Sequence, residues 1–260
     1  MRDITALVTG ASKGLGRAYA LELARRGARV ILLARSGSDL EELAATMQNA
    51  VVITGDLTAR GGPERILREL SDRGLVVDLL INNAGMGSAG PFLQRPLEPQ
   101  LRSVDLNISG LLTLTHALGA EMVARGAGGI INVSSTAAFL PLPYQASYAA
   151  TKAFVLSFSE ALAEELRGTG VHVMAAHPGA IATGFFDGTT ATIDPGADTP
   201  ETVAAQTLDD YARRRPVSYP GRGVNRVMTW PARLLPRTVV ARVAAAFNRR
   251  QRLHETVDVA

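Results

Sequence analysis

The chain has 260 residues, 47% hydrophobic, 20% charged and 5% aromatic, and contains no cysteine. That length buries a sizeable core without metal or disulfide staples, and the missing thiols exclude a disulfide framework, a thiolate zinc site, an iron–sulfur cluster and a cysteine nucleophile. The formal charge of +3 hides an asymmetry: residues 211–260 hold 11 Arg against Glu255 and Asp258, a local +9, which leaves −6 for everything before them.

The body of the chain shows neither a basic face interleaved with aromatics nor a binding motif, so no nucleic-acid partner is expected. Met1 to Val8 is too short and too interrupted by charge for a secretory leader. No later stretch approaches the roughly 20 uninterrupted apolar residues of a membrane span. A cytoplasmic location is the expectation.

In chain order, short runs rich in Val, Ile and Leu alternate with amphipathic segments of helical length. The runs are Ile4–Val8, Arg29–Ala34, Ala50–Thr54, Val77–Ile81, Gly129–Val133 and Val171–Ala175, with a late seventh at Val217–Tyr219. Helical patterns lie at 14–26, 38–48, 62–73, 98–124 and 148–167. Continuous apolar strands between helices predict an α/β fold, one doubly wound parallel sheet of about seven strands covered on both faces. Residues 1–225 form this domain, and 226–260 are a basic, amphipathic extension broken at Pro231 and Pro236. The stretch Thr183–Thr199 reads as a loop before a helix starting near Pro200.

The first run enters Thr9-Gly10-Ala11-Ser12-Lys13-Gly14-Leu15-Gly16 and then a helix. Glycines there permit a tight turn, close approach of a pyrophosphate and tight helix packing, with backbone amides facing the anion. A plain structural turn uses the same residues. The second run ends Ala34-Arg35-Ser36 with no carboxylate for a ribose hydroxyl; Arg35 and Lys13 are cations that suit an added phosphate, so NADP is favoured over NAD. The chain has 25 Arg and only two Lys, Lys13 and Lys152. Both exceptions fall at positions suited to a compact ammonium.

Ile130 to Ser135 is followed by Tyr148-Ala149-Ala150-Thr151-Lys152. Tyr148 and Lys152 share one helix face, and a cation beside a phenol favours its ionised form, which predicts a usable acid or base near neutral pH. Ser135, thirteen residues before Tyr148, lies at the end of the preceding run, from where a hydroxyl can orient a carbonyl; its neighbour Ser134 is the alternative.

These segments resemble the short-chain dehydrogenase/reductase family in its single-domain form, over about residues 3–185. The glycine turn and Arg35 look most like its NADP-preferring steroid and retinoid dehydrogenase branch. Ala34 stands where NAD-preferring members carry Asp. The resemblance implies catalytic Asn107, Ser135, Tyr148 and Lys152, with Asn107 holding a water on a proton relay to Lys152. It implies a nucleotide site of Gly10, Ser12, Lys13, Gly14, Leu15, Gly16, Arg35, Asp56, Leu57, Asn83, Ala84 and Gly85. Tyr148 and Lys152 add the ribose contact, and Pro178, Gly179, Ile181 and Thr183 cover the nicotinamide. The implied reaction is hydride exchange between NADPH and a carbonyl carbon, with Tyr148 exchanging the proton on oxygen.

The segments expected around the substrate, Met86–Phe92, Ala137–Pro143 and Phe185-Phe186, are apolar and carry no Arg or Lys cluster, which points to a hydrophobic ketone, aldehyde or alcohol. His116, His172 and His254 read as structural or solvated, and so does His177, with a secondary contact beside the cofactor as its alternative; no metal set is expected. No G-x-S-x-G elbow supports a hydrolase. An NADP-binding redox sensor with little turnover is the alternative, though it would usually have lost Tyr, Lys or Ser. A sugar-nucleotide epimerase needs a lobe for which 260 residues leave no room. The basic tail packs over the site or against another subunit, or lies on an anionic membrane surface. The resemblance also implies a homodimer or homotetramer.

Overall fold

A computed structural model describes residues 2–184 and 196–256. Phe185 and Phe186, read above as part of the substrate wall, lie outside the described residues.

The elements are β1 (Thr5–Thr9), α1 (Gly14–Arg25), β2 (Arg29–Ala34), α2 (Gly37–Ala44), β3 (Ala50–Thr54), α3 (Gly62–Asp72), β4 (Leu79–Asn82), α4 (Leu97–Val104), α5 (Leu111–Arg125), β5 (Gly128–Val133), α6 (Ala146–Glu165), β6 (Val171–Ala176), α7 (Pro200–Ala212) and β7 (Val217–Ser218). Three helices follow: α8 (Val224–Val227), α9 (Pro231–Leu234) and α10 (Arg237–Arg250). The strands form one seven-stranded sheet in the order β3-β2-β1-β4-β5-β6-β7, and every pairing is parallel.

Alternation along each strand sorts the core into two layers, because successive side chains leave opposite faces. Val8, Val30, Leu32 and Ile81 pack with Leu23 of α1, Leu40 of α2 and Leu208 of α7. Leu7, Ile31, Leu33 and Leu80 pack on the other face with Ile66 of α3 and Leu114 and Leu118 of α5. Both faces being covered is why these strands read as unbroken apolar runs. The order reverses between β1 and β4, and in such sheets a ligand crevice opens outside the carboxyl ends of those strands.

Two boundaries differ from the sequence reading. The helix expected over 98–124 is α4 and α5 joined by a π-helical segment, Asp105–Gly110; such segments share the composition of an ordinary helix and concentrate at functional sites. The helix expected to run to 48 stops at Ala44 because the Thr46 hydroxyl and amide both donate to the Leu43 carbonyl, at 2.7 and 3.1 Å. The extension breaks at both prolines as expected: Pro231 is the first residue of α9, where a fixed φ and a missing N–H cost nothing, and Pro236 is the N-cap of α10.

The end of the chain folds back onto the loops after β4 and β5. Asn248 of α10 donates to the Pro143 carbonyl at 2.8 Å, and Leu253 and Thr256 are buried. No described helix is long and apolar enough to cross a membrane.

Candidate active site

The glycine turn between β1 and α1 is set from β4. Thr9 Oγ1 accepts from the backbone amides of Asn83 at 3.0 Å and Ala84 at 2.9 Å, while Asn83 Nδ2 donates to the Thr9 carbonyl at 2.9 Å. Gly10 has φ +68°, and a Cβ there would stand 3.0 Å from the Ala84 Cα. At Gly16 a Cβ would fall 2.1 Å from the Gly10 carbonyl oxygen, so α1 packs on the turn only with hydrogen at that position. The first turn of α1 carries no acidic residue, which leaves the positive end of the helix dipole open to an anion.

The cations anticipated for this end of the site are solvent-facing. Lys13, at the N-cap of α1, and Arg35, just past β2, are both exposed. Arg17, absent from the sequence reading, joins Ser12, Asp39, Glu42, Leu43 and Thr46 around a cavity of about 350 Å³. Its signal was its position one helical turn beyond Lys13. Asp56 follows β3 and accepts from the Thr58 amide at 2.8 Å and the Thr58 hydroxyl at 2.7 Å. Burial works against its charge, but these bonds and the nearby Arg35 and Arg102 hold its carboxyl below the usual range. Leu57 beside it is buried, its Cβ 3.1 Å from where a Cβ on Gly110 would stand.

Ser135 and Tyr148 meet through a side-chain hydrogen bond. The Ser135 hydroxyl also receives the Ala137 amide at 3.1 Å, capping a short 3₁₀ turn. Ser134 points the other way, donating to the Lys152 carbonyl at 2.8 Å. Lys152 Nζ lies 5.9 Å from the Tyr148 ring centroid and donates to the Val133 carbonyl at 2.9 Å. Burial of this ammonium lowers its pKa to about 8.

For Tyr148 the direction is opposite to that expected. Burial raises its pKa, with the Ser135 hydrogen bond pulling the other way. Lys152 Nζ stands over the ring, 5.9 Å from its centroid, and the desolvation of a buried phenolate is the larger effect at Tyr148.

The π segment turns Asn107 inward, where it is 2% exposed. Its Nδ2 donates to the Met86 carbonyl and to Thr151 Oγ1, both at 2.9 Å, and its Oδ1 accepts from the Met86 amide at 2.9 Å. Thr151 in turn donates to the Tyr148 carbonyl at 2.8 Å. A Cβ on Gly85 would come 3.3 Å from Asn107 Oδ1 and 3.4 Å from Lys152 Nζ, so the loop after β4 passes directly over this pair. Beneath it, Asn82 reaches Asn132 at 2.9 Å and Asn132 reaches Ser159 at 3.0 Å, a buried polar ladder joining β4, β5 and α6.

The segment after β6 is fixed from two sides. Ile181 pairs with Asp198 as an isolated bridge, and the Asn225 amide fits over Gly179, where a Cβ would fall 2.5 Å from Asn225 Oδ1. Asp198 accepts from Asn225 Nδ2 at 2.9 Å. Thr183 approaches Gly14, at 3.2 Å from where a Cβ would be, which brings the two ends of the proposed nucleotide site together. The Pro178 carbonyl accepts the Thr136 amide at 3.0 Å. His177 is fully buried and meets Phe139 and Tyr219 ring to ring at 5.0 and 5.3 Å. Phe139, read from sequence as substrate wall, thus packs into the core.

Tyr144, four residues before Tyr148, holds φ 69°. Its carbonyl accepts the Gly90 amide at 2.8 Å, its ring lies 6.0 Å from that of His254, and Arg249 reaches its hydroxyl at 3.4 Å. It joins the segments around 90 and 144 to the tail. Among the described residues no group of His, Asp or Glu could hold a metal ion.

Residues 4–194 match the family described as short chain dehydrogenase. Among relatives, a very-long-chain 3-oxoacyl-CoA reductase from Macaca fascicularis is 31% identical over 96% of this chain and 81% of its own length. Among solved structures, a short-chain dehydrogenase from Sphingobium yanoikuyae in complex with NADPH superposes with a TM-score of 0.77 at 34% identity, covering 83% of this chain and 87% of that one. A bulky-bulky ketone specific alcohol dehydrogenase from Comamonas testosteroni gives 0.77 at 32% identity, over 86% and 88%.

Proposed function

The chain belongs to the short-chain dehydrogenase family, and from that premise we propose that it is an NADP-dependent oxidoreductase interconverting a hydrophobic ketone or aldehyde with its alcohol. The observation that carries the reading is the Ser135–Tyr148 hydrogen bond with the buried Lys152 ammonium 5.9 Å from the Tyr148 ring centroid.

The residues present fit a dinucleotide. Gly10, Gly14 and Gly16 leave a cradle that side chains would fill, and Ser12, Lys13 and Leu15 open the helix end over it. Arg35, with Lys13 and Arg17, would take the added phosphate of NADP; Asp56 and Leu57 would flank the adenine, Asn83, Ala84 and Gly85 the adenosine side. Pro178, Gly179, Ile181 and Thr183 would cover the nicotinamide. When bound, the cofactor supplies or accepts the hydride.

The protein's own part is to hold oxygen and proton. A phenol whose pKa is raised stays protonated at neutral pH, so Tyr148 is a ready donor to the oxyanion that forms when a carbonyl is reduced. Ser135 holds the same oxygen through its hydroxyl. Lys152, with a pKa of about 8, carries a proton that is readily given up and replaced near neutrality. Asn107 positions Thr151, and through it the Tyr148 backbone; the water-borne relay to Lys152 is part of this proposal. The apolar loops Met86–Phe92 and Leu140–Pro143 favour a substrate without a charged group.

NADPH oxidation followed against a panel of ketones and aldehydes tests the reading. Turnover is expected with apolar carbonyls, and Tyr148→Phe is expected to abolish it while NADPH still binds. NADPH binding without turnover on any substrate would favour a redox-sensing protein; normal turnover by Tyr148→Phe would remove the mechanism.

A further inference from the structure

The basic extension is only half used by the contacts described so far. On α10, Ala244 and Asn248 face inward, and Asn248 and Arg249 tie the helix to Pro143 and Tyr144. The adjoining flank carries Val239, Val243 and Phe247 at helical spacing, with Val243 64% exposed and Phe247 58% exposed. Leading into it are Met228 at 63% and Leu234 at 79%, with Trp230 half exposed. A run of large apolar side chains this open is unusual for a protein surface in water.

Charge marks the same stretch. Between Asp210 and Glu255 the chain contains 11 Arg and no acidic residue. Arg237, Arg242 and Arg250 are exposed and make no ion pair among the described residues. Exposed apolar groups and unneutralised guanidiniums on one segment are the two signals that together hold a protein on a negatively charged bilayer, where either alone binds weakly. A second copy meeting this face symmetrically would set the same cations against one another.

We infer that residues 224–250 dock on an anionic membrane surface, the apolar side chains entering the headgroup boundary and the guanidiniums pairing with lipid phosphates and carboxylates. Docking does not depend on which reaction the site runs. It sets the loops at Leu140–Tyr144 beside the bilayer, where an apolar substrate is concentrated.

The full-length protein is sedimented with vesicles of phosphatidylcholine alone and of phosphatidylcholine containing phosphatidylserine, at low and high salt. Recovery is expected with the anionic vesicles only, and added salt should release the protein. Arg237→Gln/Arg242→Gln/Arg250→Gln should weaken partitioning on the order of a hundredfold, each Arg near such a surface being worth roughly fivefold. Val243→Asp should also abolish recovery, with retained NADPH binding showing that the variant is folded; if it is not, the triple Arg variant decides alone. Equal recovery with and without lipid, or binding unchanged in the Arg variant, overturns the inference. So does a wild-type dimer, detected by light scattering and split by Val243→Asp, that ignores vesicles; this would assign the face to a second copy.

Discussion

Asn107 Nδ2 lies 2.9 Å from the hydroxyl of Thr151, and that one contact joins the π segment to the helix bearing both Tyr148 and Lys152. Thr151→Val keeps the shape and removes the acceptor, leaving a buried amide donor with one partner fewer. Unfolding in urea should show a loss of about 1–3 kcal/mol. Because the Tyr148 carbonyl loses its tether as well, kcat should fall more than the affinity for NADPH. Unchanged stability and kcat would mean that Thr151 is merely packing.

The contact at Gly16 is with backbone, which cannot swing aside. Gly16→Ala should therefore force α1 away from the turn, with a loss on the order of 3 kcal/mol and of NADPH binding. Thermal unfolding and fluorescence titration measure the two effects, and a variant that binds NADPH normally would remove the proposed cradle.

Cofactor preference should reside in exposed cations and be separable from chemistry. Replacing Lys13 or Arg35 with Ala should each lower the preference for NADPH over NADH by about tenfold, the smaller end of what one charge-assisted hydrogen bond contributes. The ratio of kcat/KM for the two cofactors gives this directly, and NADH kinetics should hardly move.

Lys152 makes a prediction about pH. Its folded pKa is lowered by burial to about 8 from an ordinary 10.5. Below about 8 both states hold the proton and the folded chain bears the full cost of a buried ammonium. Above it the folded chain releases first, so stability from this group grows with pH toward 10.5 and is lost as pH falls through about 8. Stability of the wild type relative to Lys152→Met should rise on the order of 2 kcal/mol between pH 7 and 10, measured by urea unfolding of both proteins. A flat difference would mean that water reaches the amine.

The strands and most helices could be read in the sequence because a sheet covered on both faces leaves unbroken runs such as Arg29–Ala34. The choice of Ser135 rather than Ser134 as the partner of Tyr148 rests on the family resemblance, and it is Ser135 that hydrogen-bonds the phenol while Ser134 donates to the Lys152 carbonyl. What spacing could not carry was anything decided by distant packing. The π segment looks like ordinary helix, and Thr151 like an indifferent helical residue, until Asn107 is seen to reach it. The upward shift of Tyr148 is not legible because the sequence places Lys152 on the right face without showing how deeply the phenol is buried. Phe139 reads as part of a loop around the substrate, and only the fold supplies the His177 and Tyr219 rings that pack on it.

Tyr144 holds a left-handed backbone that side chains other than glycine adopt at some cost, and three separate neighbours hold it there. Two of those neighbours, Arg249 and His254, belong to the tail. The far end of the chain thus reaches the approach to the catalytic helix, with Gln145 alone standing between Tyr144 and the first turn of α6.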